Sequence, residues 1–287
     1  MADITTNNTS SSKNMCEYLQ NSSQSILIAI YVLVLMGGSA GAFMMIWKIK
    51  NDKKSVTSIA VINLISVHTI FILTLPFRIS YYVLDKWKFS KIFCKVVSAM
   101  IHVHLYLCFV FYVIIVVIRM SCFFGGKKSM QFYQPWHSSA VSLAIWALVL
   151  LAILPLFFKF YGASKEYNKT ECFQFQEEFS EDFVKTVNYI LITVVLTTIC
   201  ILLAIQMRII IKLAAKHTRT LHKRQEFGAQ KKTLLILFLM ITCFLPYLGY
   251  RLYYIQQDKP CYIINEIFLA LTTMSCFDGL IFFFTAH

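Results

Sequence analysis

Histidines within long apolar stretches are the side chains of this 287-residue chain best suited to chemistry. His68, His102 and His104 all lie in such stretches, and imidazole serves as a metal ligand or as an acid and base. The i,i+2 spacing of His102 and His104 directs these two rings to different faces of a helix, and no acidic or cysteine partners accompany them at metal-ligand spacing. We therefore predict no catalytic residues, no metal site and no cofactor.

A lysine in the last apolar stretch would suit a different chemistry, a Schiff base with a retinal-type chromophore. No lysine occurs between Tyr262 and His287, so a light-driven pump is excluded. A transporter or an intramembrane enzyme would need several polar groups that converge at mid-depth, and the histidines alone do not supply them. The sequence therefore favours a protein that is not an enzyme.

Seven apolar stretches carry these residues, and each has the roughly 20 residues that a helix needs to cross a bilayer. Hydrophobic residues make up 58% of the chain and charged residues 14%, a balance that is atypical of soluble domains. We predict an all-α integral membrane protein, a seven-transmembrane helix bundle. The stretches are Ile26–Trp47, Val56–Leu84, Ile92–Cys122, Ser138–Phe160, Phe183–Ile211, Thr233–Gln256 and Tyr262–Phe284.

Lysine and arginine are unevenly divided between the two ends of these stretches. If the N-terminus lies outside, the inner loops and helix ends hold 15 Lys or Arg and two acidic residues, Asp52 and Glu226, a difference equal to the net charge of +13. Lys and Arg in short loops stay on the cytoplasmic side, which predicts an extracellular N-terminus. The basic charge then reflects topology and attraction to membrane lipid, and no nucleic-acid partner is expected.

Glycosylation sequons and cysteines agree with this orientation. Four sequons fall on the predicted outside, at Asn7, Asn8, Asn21 and Asn168. Four of the nine cysteines lie at the same face, in the oxidising compartment, and four cysteines allow three pairings; they are Cys16, Cys94, Cys172 and Cys261. We predict two regions: residues 1–25, an extracellular glycosylated tail expected to be disordered, and residues 26–287, the seven-helix domain.

Spaced landmarks run through the whole chain in a recognisable order. Arg119 lies 25 residues after Cys94, at the inner end of the third stretch. The others are Asn63-Leu64 and Pro76, Trp87, Trp146 and Pro155, Cys243-Phe244-Leu245-Pro246, and Asp278-Gly279-Leu280-Ile281-Phe282. In these motifs and separations the chain resembles the rhodopsin-like (class A) G-protein-coupled receptors.

The resemblance implies a plasma-membrane receptor whose partner is a heterotrimeric G protein. It also implies a disulfide between Cys94 and Cys172, and we expect a second one between Cys16 and Cys261. The amphipathic helix and cytoplasmic tail that the family carries after the seventh span are not expected in this chain, which ends at His287. Because several family motifs are altered, a seven-helix receptor that does not signal, acting as a scavenger or as a partner of other receptors, is the alternative function.

Activation residues are also implied by the resemblance. Pro246 would kink the sixth helix, and Phe244 stands where the family has a tryptophan switch. Arg119 would face the cleft that admits the G protein. No Asp precedes it, so we expect Glu226 to be its resting partner, with an exposed Glu226 as the alternative. Phe282 replaces the tyrosine that the family uses in its active state.

The membrane interior departs most from the family pattern. His68 stands where class A receptors have the Asp that binds sodium, and Asp278 lies in the seventh stretch. Ionisable residues within spans are costly unless they are paired. We predict that His68 contacts Asp278 in place of a sodium site, so that sodium does not modulate this protein; the protonation state of His68 stays open.

An unknown small extracellular ligand is expected near the outer ends of the helices. Two arginines there, Arg78 and Arg251, suit a carboxylate or a phosphate. Alternatively, both arginines extend to the lipid headgroups or pair with the acidic stretch 177–182. The ligand-binding candidates are Arg78, Tyr81, His102, Tyr247, Tyr250 and Arg251.

Overall fold

The described part of the chain is helical apart from short connections. A computed structural model describes residues 3–50, 56–131, 135–159, 170–173, 182–215, 221–256 and 262–284. Side chains are described within these ranges except at 3–22, 56–57, 125–131, 135–136, 215, 221–227, 229 and 283–284.

The helices follow one another in simple order. They are α1 (Asp3–Lys50), α2 (Val56–Ile72), α3 (Leu75–Leu84), α4 (Lys91–Gln131), α5 (Pro135–Lys159), α6 (Asp182–Ala215), α7 (Leu221–Gln256), α8 (Tyr262–Thr272), a 3₁₀ turn (Thr273–Phe277) and α9 (Asp278–Phe284). α2 and α3 together form the second span, and α8, the 3₁₀ turn and α9 form the seventh.

Seven segments of the described chain are long and apolar enough to cross a membrane, which confirms the predicted seven-helix fold. They are Ser23–Lys50, Ser58–Leu84, Lys91–Phe124, His137–Lys159, Asp182–Ala214, Gln230–Gln256 and Tyr262–Phe282.

The third span lies at the centre of the bundle. In its most apolar window 61% of the residues are buried, against 22% for the fourth span. α4, which forms the third span, packs against α2, α5, α7 and the 3₁₀ turn. A side chain on this helix can therefore reach partners from several other spans.

The first helix is longer than its apolar stretch. α1 begins at Asp3 and continues through residues 3–25, which we predicted to be a disordered tail. Once the apolar part has formed a helix, each preceding residue adds a hydrogen bond without a new nucleation step. The side chains of Cys16 and of the sequons at Asn7, Asn8 and Asn21, and the whole of Asn168 and Cys261, lie outside the described part of the chain.

The second span is interrupted at Thr74. Pro76 has no backbone N–H to donate to Ile72, so the helix breaks between α2 and α3. At the break the carbonyl of Phe71 accepts two hydrogen bonds from Thr74, from its backbone N–H at 2.8 Å and from its hydroxyl at 2.7 Å. The break lets α3 take its own direction, and Arg78, on α3, is buried.

Glycines allow the first and seventh spans to pack backbone against backbone. A Cβ added at Gly279 would lie 2.9 Å from the backbone C and O atoms of Gly41. One added at Gly37 would meet the ring of Phe277 at 2.1 Å. Gly37 and Gly41 are spaced four apart on one helix face, the arrangement that allows close approach of membrane helices. Gly279 is therefore required for this close packing.

Gly279→Ala is expected to lower the unfolding midpoint of the detergent-solubilised protein, because its methyl group would collide with backbone that cannot rotate away. Overpacking of this kind costs about 1–3 kcal/mol. Gly249→Ala is the matched control, since no atom lies within 4 Å of the added Cβ and alanine is the better helix former. Equal midpoints for the two variants would refute the tight Gly41–Gly279 contact.

Candidate functional site: two buried polar clusters

Two groups of polar side chains are buried between the spans. The arginine cluster consists of Arg78, Asn188, Arg251, Asn265 and Glu266. The histidine cluster consists of His68, His104, Cys108, Tyr112, Cys276 and Asp278. Both draw residues from several spans, so each exists only in the assembled bundle.

Arg78 is inside the bundle and makes contacts with several helices. Its side chain is 1% exposed, and its Nη1 atom lies 3.7 Å from the Glu266 carboxylate. Nη1 also donates to the Tyr31 hydroxyl at 3.3 Å, and Nη2 donates to the carbonyl of Val97 at 3.0 Å. The guanidinium lies 4.5 Å from the ring centroid of Phe173. Its charge is thus balanced within the protein, and the expectation that Arg78 reaches the headgroups is wrong.

Arg251 is also buried, with amide partners. Nε donates to Asn188 Oδ1 and Nη1 donates to Asn265 Oδ1, both at 3.3 Å. Its guanidinium lies 5.5 Å from the ring centroid of Tyr254. Arg251 therefore joins the fifth and seventh spans to the sixth, which carries it. The acidic stretch 177–182 lies outside the described residues except for Asp182, which is exposed.

The other predicted ligand-binding residues lie around this cluster in different settings. Tyr81 is buried in an aromatic group with Trp87 and Phe173, at centroid distances of 6.3 and 5.1 Å. The ring of His102 packs on Phe157 of the fourth span at 5.1 Å. The remaining two share the sixth span: Tyr247 is buried, and Tyr250 is half-buried and stacks on a ring of the seventh span.

His68 and Asp278 are in contact, as the sequence predicted. His68 Nε2 lies 3.2 Å from Asp278 Oδ2, and both side chains are buried. The Tyr112 hydroxyl donates a second hydrogen bond, of 2.8 Å, to the same carboxylate oxygen. The ionisable groups of the second and seventh spans are therefore paired with each other, and the third span completes the set.

The other ring nitrogen of His68, Nδ1, faces three further polar atoms that could not be placed there from the sequence. Its Nδ1 atom lies 3.0 Å from His104 Nε2 and 3.3 Å from Cys276 Sγ. Cys108 Sγ is 3.7 Å from the same nitrogen. The prediction of no metal site rested on the lack of cysteine partners near the histidines in sequence. Cys276 comes from the seventh span, so only the tertiary structure brings it there.

Comparison with known proteins agrees with this architecture. Residues 40–278 match the family model described as 7 transmembrane receptor (rhodopsin family). The chain belongs to this receptor family. It is 41% identical over 266 residues to the human "Probable G-protein coupled receptor 141", covering 90% of this chain and 87% of that receptor.

More distant relatives cover the chain to different extents. The chicken lysophosphatidic acid receptor 6 is 25% identical over 280 residues, which are 90% of this chain and 87% of that receptor. The mouse C-C chemokine receptor type 8 is 29% identical over 164 residues, 56% of this chain and 46% of that receptor.

The disulfide expected for this family is present. Cys94 at the start of α4 is bonded to Cys172, with a Cα–Cα distance of 5.9 Å. The carbonyl of Thr170 accepts a hydrogen bond of 2.8 Å from the backbone N–H of Trp87. These two links hold residues 170–173 over the arginine cluster, where Phe173 covers Arg78.

The residues predicted to act in activation lie in the middle of the bundle and toward the end opposite the Cys94–Cys172 disulfide. Phe244 is 1% exposed and contacts the rings of Phe109 and Tyr112, at centroid distances of 6.2 and 6.3 Å. Pro246 lies inside α7, and Phe282 is half-buried at the end of the seventh span. Tyr112 therefore links Phe244 to Asp278, because it contacts both side chains.

The end of the bundle opposite the Cys94–Cys172 disulfide holds Arg119 and a buried amide pair. Arg119 Nη1 is buried and has no hydrogen-bond partner among the described residues, and the side chain of Glu226, its predicted partner, is not described. Four residues after Glu226, Gln230 accepts a hydrogen bond of 2.9 Å from Gln206 Nε2. This bond joins the fifth and sixth spans.

Glu266 is the residue of the arginine cluster that sequence reasoning missed. An acidic side chain within an apolar stretch is the signal that identifies it, because an ionisable group in a span calls for a partner. Asn188 and Asn265 carry no comparable signal, since uncharged amides are common along helices.

Glu266→Gln is expected to destabilise the receptor, because it leaves the buried Arg78 guanidinium without its carboxylate. Loss of one member of a buried ion pair costs about 3–5 kcal/mol. Thermal unfolding of the purified receptor measures the effect, and Glu171→Gln, at an exposed position, is the control. The ion pair has no structural role if both variants unfold at the wild-type midpoint.

Proposed function

We propose that this receptor lies in the plasma membrane with its N-terminus outside and passes an extracellular signal, or its own basal activity, to heterotrimeric G proteins. The observation that carries the proposal is Arg119, at the inner end of the most buried span, with a guanidinium nitrogen that is buried without a hydrogen-bond partner among the described residues. A group held in this way is available for a partner that enters from the inner side.

Glu226 is proposed as the resting partner of Arg119. Both residues lie on the predicted cytoplasmic side, and an ion pair between them would connect the third and sixth spans. The buried Gln206–Gln230 bond lies one helical turn from Glu226 along the sixth span. Together the two contacts would hold the fifth and sixth spans closed until the receptor is activated.

Phe244, Tyr112 and Asp278 supply a route between the two halves of the molecule. The Tyr112 ring packs against Phe244, and its hydroxyl binds Asp278. A displacement of the sixth span near Pro246 would change the first contact and therefore the second. We infer that Phe244, Pro246, Asp278 and Phe282 act together as the activation switch.

A small anionic ligand is proposed for the arginine cluster. Of the two guanidinium groups, Arg78 is already paired with Glu266, whereas Arg251, with amide partners, provides charge for a carboxylate or phosphate. The tyrosines around them provide apolar surface for the rest of the ligand. The ligands after which the relatives are named differ in class, from lysophosphatidic acid to chemokines. The ligand class is therefore inferred from the arginines.

Wild-type receptor is expected to raise G-protein activation in proportion to its amount at the cell surface, and Arg119→Ala is expected to abolish the rise. An energy-transfer assay in cells covers the four classes of G protein. An N-terminal epitope, detected on intact cells, measures surface level and tests the outward N-terminus.

Lys88→Ala, an exposed position far from the inner end, is the control and should signal like the wild type. If the wild type reaches the surface and gives no signal with any of the four classes, the scavenger or partner function replaces this proposal. A signal that Arg119→Ala leaves intact would refute the role of Arg119.

Phenylacetate is expected to raise the unfolding midpoint of the purified receptor at millimolar concentration, whereas its uncharged amide is not. The two probes have nearly the same size and shape and only the acid carries a negative charge, so a larger shift with the acid indicates an ion pair. Arg251→Gln keeps a hydrogen-bonding side chain without the charge and should remove the difference. Equal shifts for acid and amide on the wild type would argue against an anion site.

A further inference from the structure

Three soft donor atoms of the histidine cluster converge on one point. His68 Nδ1, His104 Nε2 and Cys276 Sγ are separated by 3.0 Å between the nitrogens and by 3.3 Å from each nitrogen to the sulfur. They come from the second, third and seventh spans, and all three side chains are buried. These are ordinary hydrogen-bond distances, but the three contacts cannot all be satisfied by linear hydrogen bonds, because a ring nitrogen of a neutral imidazole either donates or accepts.

The surroundings of His68 prepare its nitrogen for a cation. Asp278 Oδ2 accepts a hydrogen bond from Nε2, which places the proton of a neutral ring on that nitrogen. The lone pair of Nδ1 then points to His104 and Cys276. A carboxylate bound to the far nitrogen of a ligating histidine is the usual support of a metal ligand, and the Tyr112 hydroxyl fixes this carboxylate in turn.

His104 is free to present its own lone pair. Its Nδ1 atom is buried and has no hydrogen-bond partner among the described residues. No described group donates to Nδ1, so nothing on that side forces the proton onto Nε2. In the metal-free protein Nε2 can donate to His68 Nδ1, and binding of a metal ion moves that proton to Nδ1 of His104.

The distances match a tetrahedral metal centre. With bonds of about 2.0 Å to nitrogen and about 2.3 Å to sulfur, tetrahedral zinc separates its ligand atoms by roughly 3.3–3.6 Å. The three atoms need to move apart by about 0.3 Å, which side-chain rotation supplies.

A small cavity lies beside two of the three donors. A cavity of about 10 Å³, room for the centre of one water-sized sphere, is lined by His68, Cys276 and Asp278. Cys108 Sγ, 3.7 Å from His68 Nδ1, lies at the edge of the same cluster. A water in the cavity or the Cys108 thiolate completes four-coordination.

We propose that the histidine cluster binds one zinc ion through His68, His104 and Cys276, with Asp278 as the support of His68. Imidazole and thiolate prefer zinc to sodium, magnesium or calcium, so the ligand set selects a soft divalent cation where a carboxylate would select a hard one. The ion ties the second, third and seventh spans together. This proposal does not depend on G-protein coupling.

Full-length receptor in detergent, stripped with a chelator and then given zinc, is expected to retain one zinc per chain after gel filtration and to unfold at a higher temperature. His104→Gln and Cys276→Ser should reduce the zinc content to that of a metal-free sample and remove the stabilisation. Asp278→Asn should weaken binding about 10–100-fold, because it removes the support of His68. Zinc content is measured by mass spectrometry on the folded, monodisperse fraction.

Matched controls separate the site from general effects of substitution. His102→Gln removes a histidine two residues away whose ring packs on the fourth span, and Cys243→Ser removes a buried free cysteine of the sixth span. Both should keep the zinc. Cobalt replaces zinc as a coloured probe, and its thiolate absorption should disappear in Cys276→Ser and persist in Cys243→Ser.

If Cys276→Ser does not fold, the site is tested by His104→Gln alone, in which the cobalt absorption is expected to disappear. Wild-type receptor that retains no zinc, or variants of His104 and Cys276 that retain as much as the controls, would overturn the proposal.

Discussion

A polar side chain within a bilayer obtains its partners from other helices, since lipid offers no hydrogen bonds. Both buried clusters of this receptor follow from that constraint. His68 of the second span meets Asp278 of the seventh, and Arg78 of the second meets Glu266 of the seventh. The second and seventh spans are therefore tied at two depths. The third span passes between them and contributes Tyr112 to the deeper cluster and a backbone carbonyl to the other.

Close packing makes these polar contacts possible. Gly279 brings the backbone of the seventh span against Gly41 of the first, and the 3₁₀ turn just before it exposes the carbonyl of Ser275 to Tyr112. A bulkier residue at position 279 would push the seventh span outward and move Asp278 with it. The glycine at position 279 and the His68–Asp278 contact are thus parts of one local arrangement.

The sequence predicts the spans well, because hydropathy over about 20 residues depends on the bilayer and not on neighbouring helices. The disulfide between Cys94 and Cys172 and the His68–Asp278 contact were also predictable, since family motifs specify which spans face each other. The contacts of His104 and Cys276 were not predictable. Helical spacing indicates which side chains share one face of a helix, but not which other helix packs against that face. The helical extension of α1 was missed for a related reason: its composition is polar, and its helix continues from the apolar part.

His68 and Asp278 are 210 positions apart in the chain, so the second span is synthesised well before its partner in the seventh. A ribosome adds about 5–20 residues per second, so the second span is complete roughly 10–40 s before its carboxylate partner has been made. During that interval the imidazole is in or near the membrane without Asp278, and nearby water or the insertion machinery must accommodate it. Arrival of the seventh span ends this state. The second span of the nascent chain thus carries a histidine without its carboxylate partner until the last span has been made.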